Sequence, residues 1–205
     1  VLPVIEELNG LLFYPVQYEG EESSKNVFYT GAAPNQQAIP ATDYYLEELG
    51  IEKFALLGTD YVYPRTTNKI LNQYLIDKGI PESDIFVNYT PFGHSDWSKI
   101  VADVVALGAD GKKVGVISTI NGDANIGFYK ELAAAGVNAE DIPVVAFSVG
   151  EEELSGLDTT NLVGHLAAWN YFQSAESDLN TAFIKNWKST MGSERVTNDP
   201  MEAHV

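Results

Sequence analysis

The chain has 205 residues, of which 45% are hydrophobic, and it contains no cysteine. Its formal net charge of −17 argues against binding to nucleic acid or to an anionic lipid surface, because the negative charges would repel each other. The lack of cysteine excludes disulfides, thiol catalysis and zinc sites built on cysteine. No apolar run approaches the roughly 18 residues of a membrane-spanning helix, so we predict no direct membrane insertion.

The first 50 residues predict a few elements of one α/β unit. Residues 1–9 resemble the end of a helix, which Asn9-Gly10 would close as a C-cap. The apolar pattern then predicts strands at Leu11–Tyr14 and Val27–Gly31 and a helix at Pro34–Leu49. This segment is too short to form a complete domain.

From residue 51 onward, strands and helices alternate regularly. The predicted strands are Lys53–Leu57, Ile85–Tyr89, Lys113–Ser118, Val144–Phe147 and Leu162–Leu166, and the predicted helices are Pro64–Lys78, Asp96–Ala106, Ile126–Ala135, a short start at Glu151–Leu154 and Leu179–Met191. Such alternation is typical of a doubly wound α/β fold with a parallel sheet covered on both faces. In the flavodoxin-like strand order, the first and third strands are neighbours, and the loops 58–63 and 119–125 face each other across one crevice.

Several side chains have predicted local roles in these helices. We expect Ser95 to cap the helix that begins near Asp96, and Asp123 to cap the helix that follows it. Helical spacing places Val105 on the apolar stripe of one helix and Leu179 on the inward face of the last helix.

Motifs for catalysis or phosphate binding are missing from the sequence. It contains no G-x-S-x-G elbow and no glycine-rich phosphate loop, and no spacing of His or carboxylate residues fits a metal site. The histidines, His94, His165 and His204, stand in unrelated contexts. We therefore predict a protein that is not an enzyme and needs no cofactor.

Tyrosines are concentrated where predicted strands end. Tyr14 and Tyr18 flank the end of one strand, and Tyr61 and Tyr63 follow another. A tyrosine at such a place is often a half-buried core residue whose hydroxyl reaches water. Four of them at the mouths of two units also suit a small uncharged polar ligand, since each offers an apolar face and one hydrogen-bonding tip.

Polar residues beside the tyrosines could complete such a site. Asn121 and Asp123 offer an amide and a carboxylate, which can accept hydrogen bonds from ligand N–H groups. Gln17 and Glu19 are weaker candidates in the loop after the first strand, and Arg65 is expected to be structural.

Several segments resemble the urea and short-chain amide receptors, type I periplasmic binding proteins of the branched-chain amino acid receptor group. They are Tyr14-Pro-Val-Gln-Tyr-Glu-Gly20, Gly31-Ala-Ala-Pro-Asn-Gln36, Gly58-Thr-Asp-Tyr-Val-Tyr-Pro-Arg65, Thr119-Ile-Asn-Gly-Asp-Ala-Asn125 and Ala146-Phe-Ser-Val-Gly-Glu-Glu-Glu153. The last two are similar to the urea-binding subunit of ABC transporters. The resemblance covers essentially the whole chain.

The resemblance implies a ligand held between two lobes. Residues 1–44 would be the late part of lobe one, 45–160 a complete lobe two, and 161–205 a strand and helix returning toward lobe one. The ligand would touch Tyr14, Val16 and Gln17 from lobe one, and Tyr61, Tyr63, Asn121, Gly122 and Asp123 from lobe two. Because the chain starts without Met in a helix-like segment and ends in another, Pro200–Val205, we expect a fragment of a longer protein.

The implied function is a receptor that captures urea or a small amide and delivers it to an ABC transporter permease. The location would then be the periplasm or another extracytoplasmic space. Two alternatives stay open, namely a cytosolic amide-sensing regulator and a branched-chain amino acid receptor. A hydrolase acting on amides is a further rival.

Overall fold

The computed structural model describes residues 1–155 and 158–198. The predicted helix start at Pro200–Val205, with His204 inside it, lies outside the described residues. Two separate parallel sheets, one of two strands and one of five, organise the described part of the chain.

The two-stranded sheet is formed by the start of the chain. Helix α1 (Leu2–Glu7) precedes strand β1 (Leu12–Tyr14), and β2 (Val27–Tyr29) pairs with β1 in parallel. Asn9 adopts the left-handed conformation with φ of 48°, as expected where a chain leaves a helix and turns. Helix α1 has no buried residue, so this region contributes little to the core.

The five-stranded sheet is built from the rest of the chain. Its strands are β3 (Lys53–Thr59), β4 (Ile85–Thr90), β5 (Val114–Thr119), β6 (Val144–Ala146) and β7 (Leu166–Ala167). Their spatial order is β4-β3-β5-β6-β7, and every neighbouring pair is parallel. This order confirms the flavodoxin-like prediction, because the first and third strands of the sheet, β3 and β5, are neighbours.

Helices cover both faces of this sheet. They are α2 (Ala38–Glu47), α3 (Val62–Asp77), α4 (Ser98–Leu107) and α5 (Ala124–Ala134), which contribute residues to the two core clusters. Two more helices, the short α6 (Glu151–Leu154) and α7 (Asp178–Met191), follow β6 and β7 in the chain. Alternate residues of a strand point to opposite faces, so Phe54 and Leu56 pack with α2 and α3, whereas Ala55 and Leu57 pack with α4 and α5. The doubly wound architecture is confirmed.

The prediction of the last sheet strand was wrong in its position. Leu162 ends a 3₁₀ turn, Thr159–Leu162, and the strand is Leu166–Ala167. Gly164, with φ of 94°, turns the chain between the two, and Val163 is 82% exposed. The apolar run thus spans a turn, and only its end joins the sheet.

Both predicted N-caps need correction. Helix α4 begins after Trp97, and Ser95 is not its cap. Asp96 instead accepts hydrogen bonds from Ser98 N at 3.3 Å and Ser98 Oγ at 2.6 Å. Asp123 does occupy the N-cap position of α5, but its side chain makes no capping hydrogen bond.

Two predicted inward residues lie outward. Leu179 is 84% exposed and Val105 is 44% exposed. In α7 the buried position is Asn180, which donates to backbone carbonyls of Gln173 at 3.0 Å and Ala175 at 2.7 Å. The inward face of α7 therefore starts one residue later than predicted, because the hydrogen bonds of the buried Asn180 side chain fix the orientation of the first turn.

Among the helices of the described part, none is long and apolar enough to cross a membrane.

Candidate functional site

The two loops expected to share one crevice meet at one edge of the sheet. They follow β3 and β5, whose last residues are paired, Gly58 with Thr119. Asn121 N donates to Thr59 Oγ1 at 2.9 Å, which joins the loops directly. A Cβ on Gly58 would lie 2.5 Å from Thr119 Oγ1 and 2.6 Å from Pro64 Cβ, so this close approach depends on glycine.

Tyr61 and Tyr63 stand at this edge, at the start of α3. Tyr61 is half-buried at the N-cap position, Tyr63 is only 8% exposed, and their ring centroids are 6.3 Å apart. The Tyr63 hydroxyl is buried and has no hydrogen-bond partner within 3.5 Å among the described residues. A buried polar group without a partner lowers the stability of the folded state. This hydroxyl is therefore available to form a hydrogen bond with a ligand.

The loop after β1 reaches the same edge from the two-stranded sheet. Gln17 is buried, and its Nε2 donates to Phe147 O, just after β6, at 2.8 Å. Gln37 reinforces this contact through Nε2, which donates to Ala168 O at 2.6 Å. Two buried amides thus hold the first region against the carboxyl ends of β6 and β7.

The tyrosine hydroxyls of both regions share one electrostatic environment. Burial first, and then the proximity of Tyr14 and Glu19, raise the pKa of Tyr61 to about 12, with a partial offset from the Asn121 side chain. Burial, followed by the Glu19 carboxylate, also raises the pKa of Tyr14. Both hydroxyls are therefore protonated at neutral pH and can donate or accept hydrogen bonds.

Tyr63 belongs to the same group. Its pKa is raised by burial first and then by Tyr61 and Glu19, with a partial offset from the neighbouring Ser148. Tyr14 of the two-stranded region and Tyr61 and Tyr63 of the five-stranded region thus all lie within the electrostatic influence of the Glu19 carboxylate, and Asn121 interacts with Tyr61.

The remaining predicted residues are placed differently. Val16 is 41% exposed, and the Gln17 amide N–H is already used by Phe147 O. Gly122, with φ of 64°, and Asp123 are exposed and line a separate cavity of about 260 Å³ beside α6. Direct ligand contact by these residues stays a prediction.

Sequence reasoning missed two residues near the tyrosines. The Phe92 ring lies 5.1 Å from that of Tyr61 and is 65% exposed, and Ser148 adjoins Tyr63. Each stands two residues beyond a strand end, at Thr90 and Ala146. The rule that ligands bind outside the carboxyl ends of parallel strands could have found both if it had been applied to every strand.

The histidines of the described part make structural hydrogen bonds. His94 Nε2 donates to Asp96 O at 2.7 Å, and His165 Nδ1 accepts from Val144 N at 3.1 Å. Burial lowers the pKa of His165. Arg65 is bound to Asp60 at 2.6 Å, in agreement with its predicted structural role.

A more apolar cavity of about 350 Å³ lies elsewhere, at the β6–β7 side of the sheet. Tyr129, Val149, Leu162 and Phe172 contribute to its walls, and none of the predicted site residues lines it. The cavity is therefore distinct from the tyrosine group.

The sequence matches a known family model along its whole length. Residues 1–205 match the model described as a periplasmic binding protein domain. The chain belongs to the periplasmic binding protein family.

Solved structures of ABC transporter binding proteins share this fold. A fatty acid ABC transporter substrate-binding protein from Thermomonospora curvata has a TM-score of 0.79 and 13% identity, covering 100% of this chain and 52% of its own. A solute binding protein from R. palustris in complex with 4-hydroxybenzoate has a TM-score of 0.75 and 19% identity, and the match covers 91% of this chain and 50% of that protein. A leucine binding protein from Thermotoga maritima has a TM-score of 0.73 and 13% identity, and the match covers 92% of this chain and 52% of that protein. The chain spans about half the length of these proteins.

Proposed function

We propose that this chain is part of a solute-binding receptor that captures urea or a short-chain amide between two lobes and delivers it to an ABC transporter permease. Residues 1–44 would belong to lobe one and residues 45–160 would form lobe two. The receptor would act in the periplasm or another extracytoplasmic space. Its role would be binding, with no catalytic step.

The observation that carries the proposal is the convergence of Tyr14, Tyr61 and Tyr63 from two sheets around one edge. Three protonated hydroxyls and the Asn121 amide offer hydrogen bonds, while the rings form apolar walls. A small planar solute that carries several N–H groups and one carbonyl needs such a mixture of partners. Apolar mimics would leave the buried hydroxyl of Tyr63 without a partner and would be rejected.

The charge around the edge favours an amide over an amino acid. An α-carboxylate needs a basic partner, and both basic residues of α3 are already paired, Arg65 with Asp60 at 2.6 Å and Lys69 with Glu21 at 3.3 Å. The nearby carboxylate of Glu19 would repel a ligand carboxylate. A branched-chain amino acid receptor is therefore the less favoured alternative.

Closure of the lobes would bury the ligand. The Tyr63 hydroxyl is buried, so a ligand would reach it when the two regions separate. Hinge closure of this kind is common among two-lobed binding proteins.

Calorimetry of the purified protein against urea, acetamide, formamide and leucine tests the proposal. We expect urea or an amide to bind and leucine not to bind, and Tyr63→Ala to weaken the preferred ligand by more than about tenfold because a ring and a hydroxyl are both lost. Tyr44→Ala, at a 47% exposed position on α2, serves as the control and should leave affinity unchanged. Binding of leucine alone, or an unchanged affinity of the Tyr63 variant, would contradict the proposal.

The same samples separate a receptor from a hydrolase. Incubation with urea or acetamide should release no ammonia. Turnover that disappears in a His94 variant would instead establish an enzyme.

A further inference from the structure

The loop after β1 presents a carboxylate that the hydrogen bonds of the fold do not use. Among the described residues, Glu19 is half-buried and has neither a hydrogen-bond donor nor a basic group as partner. Its sequence neighbour differs, because Glu21 is paired with Lys69 at 3.3 Å. A partly buried carboxylate without a partner is unfavourable, so the position of Glu19 calls for an explanation.

Glu19 lines a cavity whose walls combine aliphatic and aromatic side chains. The cavity has a volume of about 340 Å³, and Tyr14, Tyr18 and Tyr29 line it together with Glu19 and Glu22. The rings are close together, with centroids 4.1 Å apart for Tyr18 and Tyr29 and 6.2 Å apart for Tyr14 and Tyr29. The side chains that line it include no Lys, Arg or His among the described residues.

Glu19 also influences the tyrosines of the five-stranded region electrostatically, which Glu22 does not. The Glu19 carboxylate acts on the hydroxyls of Tyr61 and Tyr63 at the start of α3, whereas Glu22 acts on Tyr14 and Tyr29 only. Glu19 is thus the negative charge that influences the tyrosines of both regions.

Aromatic faces and an unpaired carboxylate together favour one kind of head group. Rings attract cations and polarised N–H groups through their negative faces, and a carboxylate accepts charge-assisted hydrogen bonds from them. A ligand carboxylate at the same place would meet a like charge without a basic residue to offset it.

We propose that Glu19 sets the charge selectivity of this cleft, admitting head groups that present N–H donors, neutral or cationic, and rejecting carboxylates. The proposal rests on the proposed receptor function and extends its ligand class from amides to amidinium and guanidinium compounds.

Three ligands of nearly equal size test this selectivity. Calorimetry with acetamide, acetamidinium and acetate keeps the shape constant and changes only the charge and the N–H groups. We expect the wild-type protein to bind acetamidinium at least as tightly as acetamide, and acetate at least about tenfold more weakly, since each charged contact is worth about tenfold or more.

Matched variants assign the effect to one residue. Glu19→Gln should weaken the binding of acetamidinium by more than about tenfold and change the affinity for acetamide by less than about threefold. The ratio between the affinities for acetamidinium and acetate should fall, because the glutamine side chain keeps the shape of glutamate and loses its charge. Glu19→Asp should retain the wild-type order of affinities. Glu21→Gln removes one charge from the same loop and should change none of the three affinities.

The possible failures of the two proposals can be told apart. If amides bind and Glu19→Gln keeps the wild-type ratio between acetamidinium and acetate, the role of Glu19 is wrong and the receptor function stands. If acetate binds as tightly as acetamidinium to the wild-type protein, the selectivity is also wrong. If none of these ligands, urea, or formamide binds, both proposals fail.

Discussion

The two sheets of this protein are both parallel, yet they are stabilised differently. In the five-stranded sheet, every residue of β3 and β5 is buried, and helices cover both faces. In the two-stranded sheet, Phe13 and Phe28 stack 5.0 Å apart but are 63% and 52% exposed. Parallel sheets are normally buried on both faces, whereas no residue of β1 or β2 belongs to either core cluster of the described part.

The difference matters for the site because both regions contribute to it. Tyr14 and Glu19 belong to the two-stranded region, which the buried amides of Gln17 and Gln37 join to the five-stranded sheet. Tyr61 and Tyr63 follow β3, every residue of which is buried.

The largest expected effect tests this contrast in stability. Phe54→Ala should lower the free energy of unfolding by about 3–5 kcal/mol, because the ring is 0% exposed in the core of the five-stranded sheet. Phe13→Ala, the matched change on the two-stranded sheet, should cost less than about 1 kcal/mol. Thermal denaturation followed by circular dichroism measures both without adding the proposed ligand, and equal losses would show that the first region has a core of its own.

A substitution that clashes with the backbone tests whether the two-stranded region can be distorted without affecting the five-stranded sheet. A Cβ on Gly31 would lie 1.8 Å from Val16 O, so Gly31→Ala should displace the loop after β1 and weaken ligand binding by about tenfold or more. The unfolding midpoint of the five-stranded sheet should change little. Gly10→Ala is the control, since its nearest neighbour would be 3.8 Å away; equal affinities of the two variants would contradict the prediction.

The buried hydroxyl of Tyr63 allows a test of ligand binding by the five-stranded region. Tyr63→Phe should leave the free energy of unfolding unchanged or raise it, because it removes a buried hydroxyl that has no hydrogen-bond partner within 3.5 Å among the described residues. Amide affinity should nevertheless fall by about tenfold, since the ligand loses one hydrogen bond. A large loss of stability with unchanged affinity would make Tyr63 a core residue alone.

The amide bridge between the regions is expected to have a moderate effect. Gln17→Ala removes the 2.8 Å hydrogen bond to Phe147 O and should cost about 1–2 kcal/mol. Hydrogen exchange should rise at residues 12–20 before it rises in β3. Gln73→Ala, which removes a surface bond to Asp77, should leave exchange in both regions unchanged.

The smallest expected effect is a pH dependence of the free energy of unfolding, caused by His165 in the five-stranded region. Burial lowers the pKa of His165, so the unfolded chain takes up a proton more readily than the folded one. The free energy of unfolding should therefore be highest above the usual histidine pKa of about 6.5 and should fall as the pH drops below it. His165→Gln should reduce this fall, as measured by denaturation at pH 5 and 7, and residues 1–44 contain no histidine that could produce it.

By itself, the sequence determined the alternation of strands and helices, because apolar periodicity marks each element. The flavodoxin-like order, which places Tyr61 and Asn121 at one edge, was an inference from fold analogy that the sheet topology confirms. The sequence-based predictions were wrong in short segments, where a turn or a buried polar side chain overrides the apolar pattern. The apolar run at Leu162 became a turn because Gly164 bends the chain, and Leu179 turned outward because Asn180 found buried partners.

Only the tertiary structure decided which side chains share a neighbourhood. The approach of Glu19 to Tyr61 and Tyr63, and the use of the Gln17 amide by Phe147 O, depend on the packing of two regions that lie far apart in the chain. Local patterns report which face of an element is apolar, whereas contacts across a cleft are fixed when separate elements pack together and their polar groups find partners.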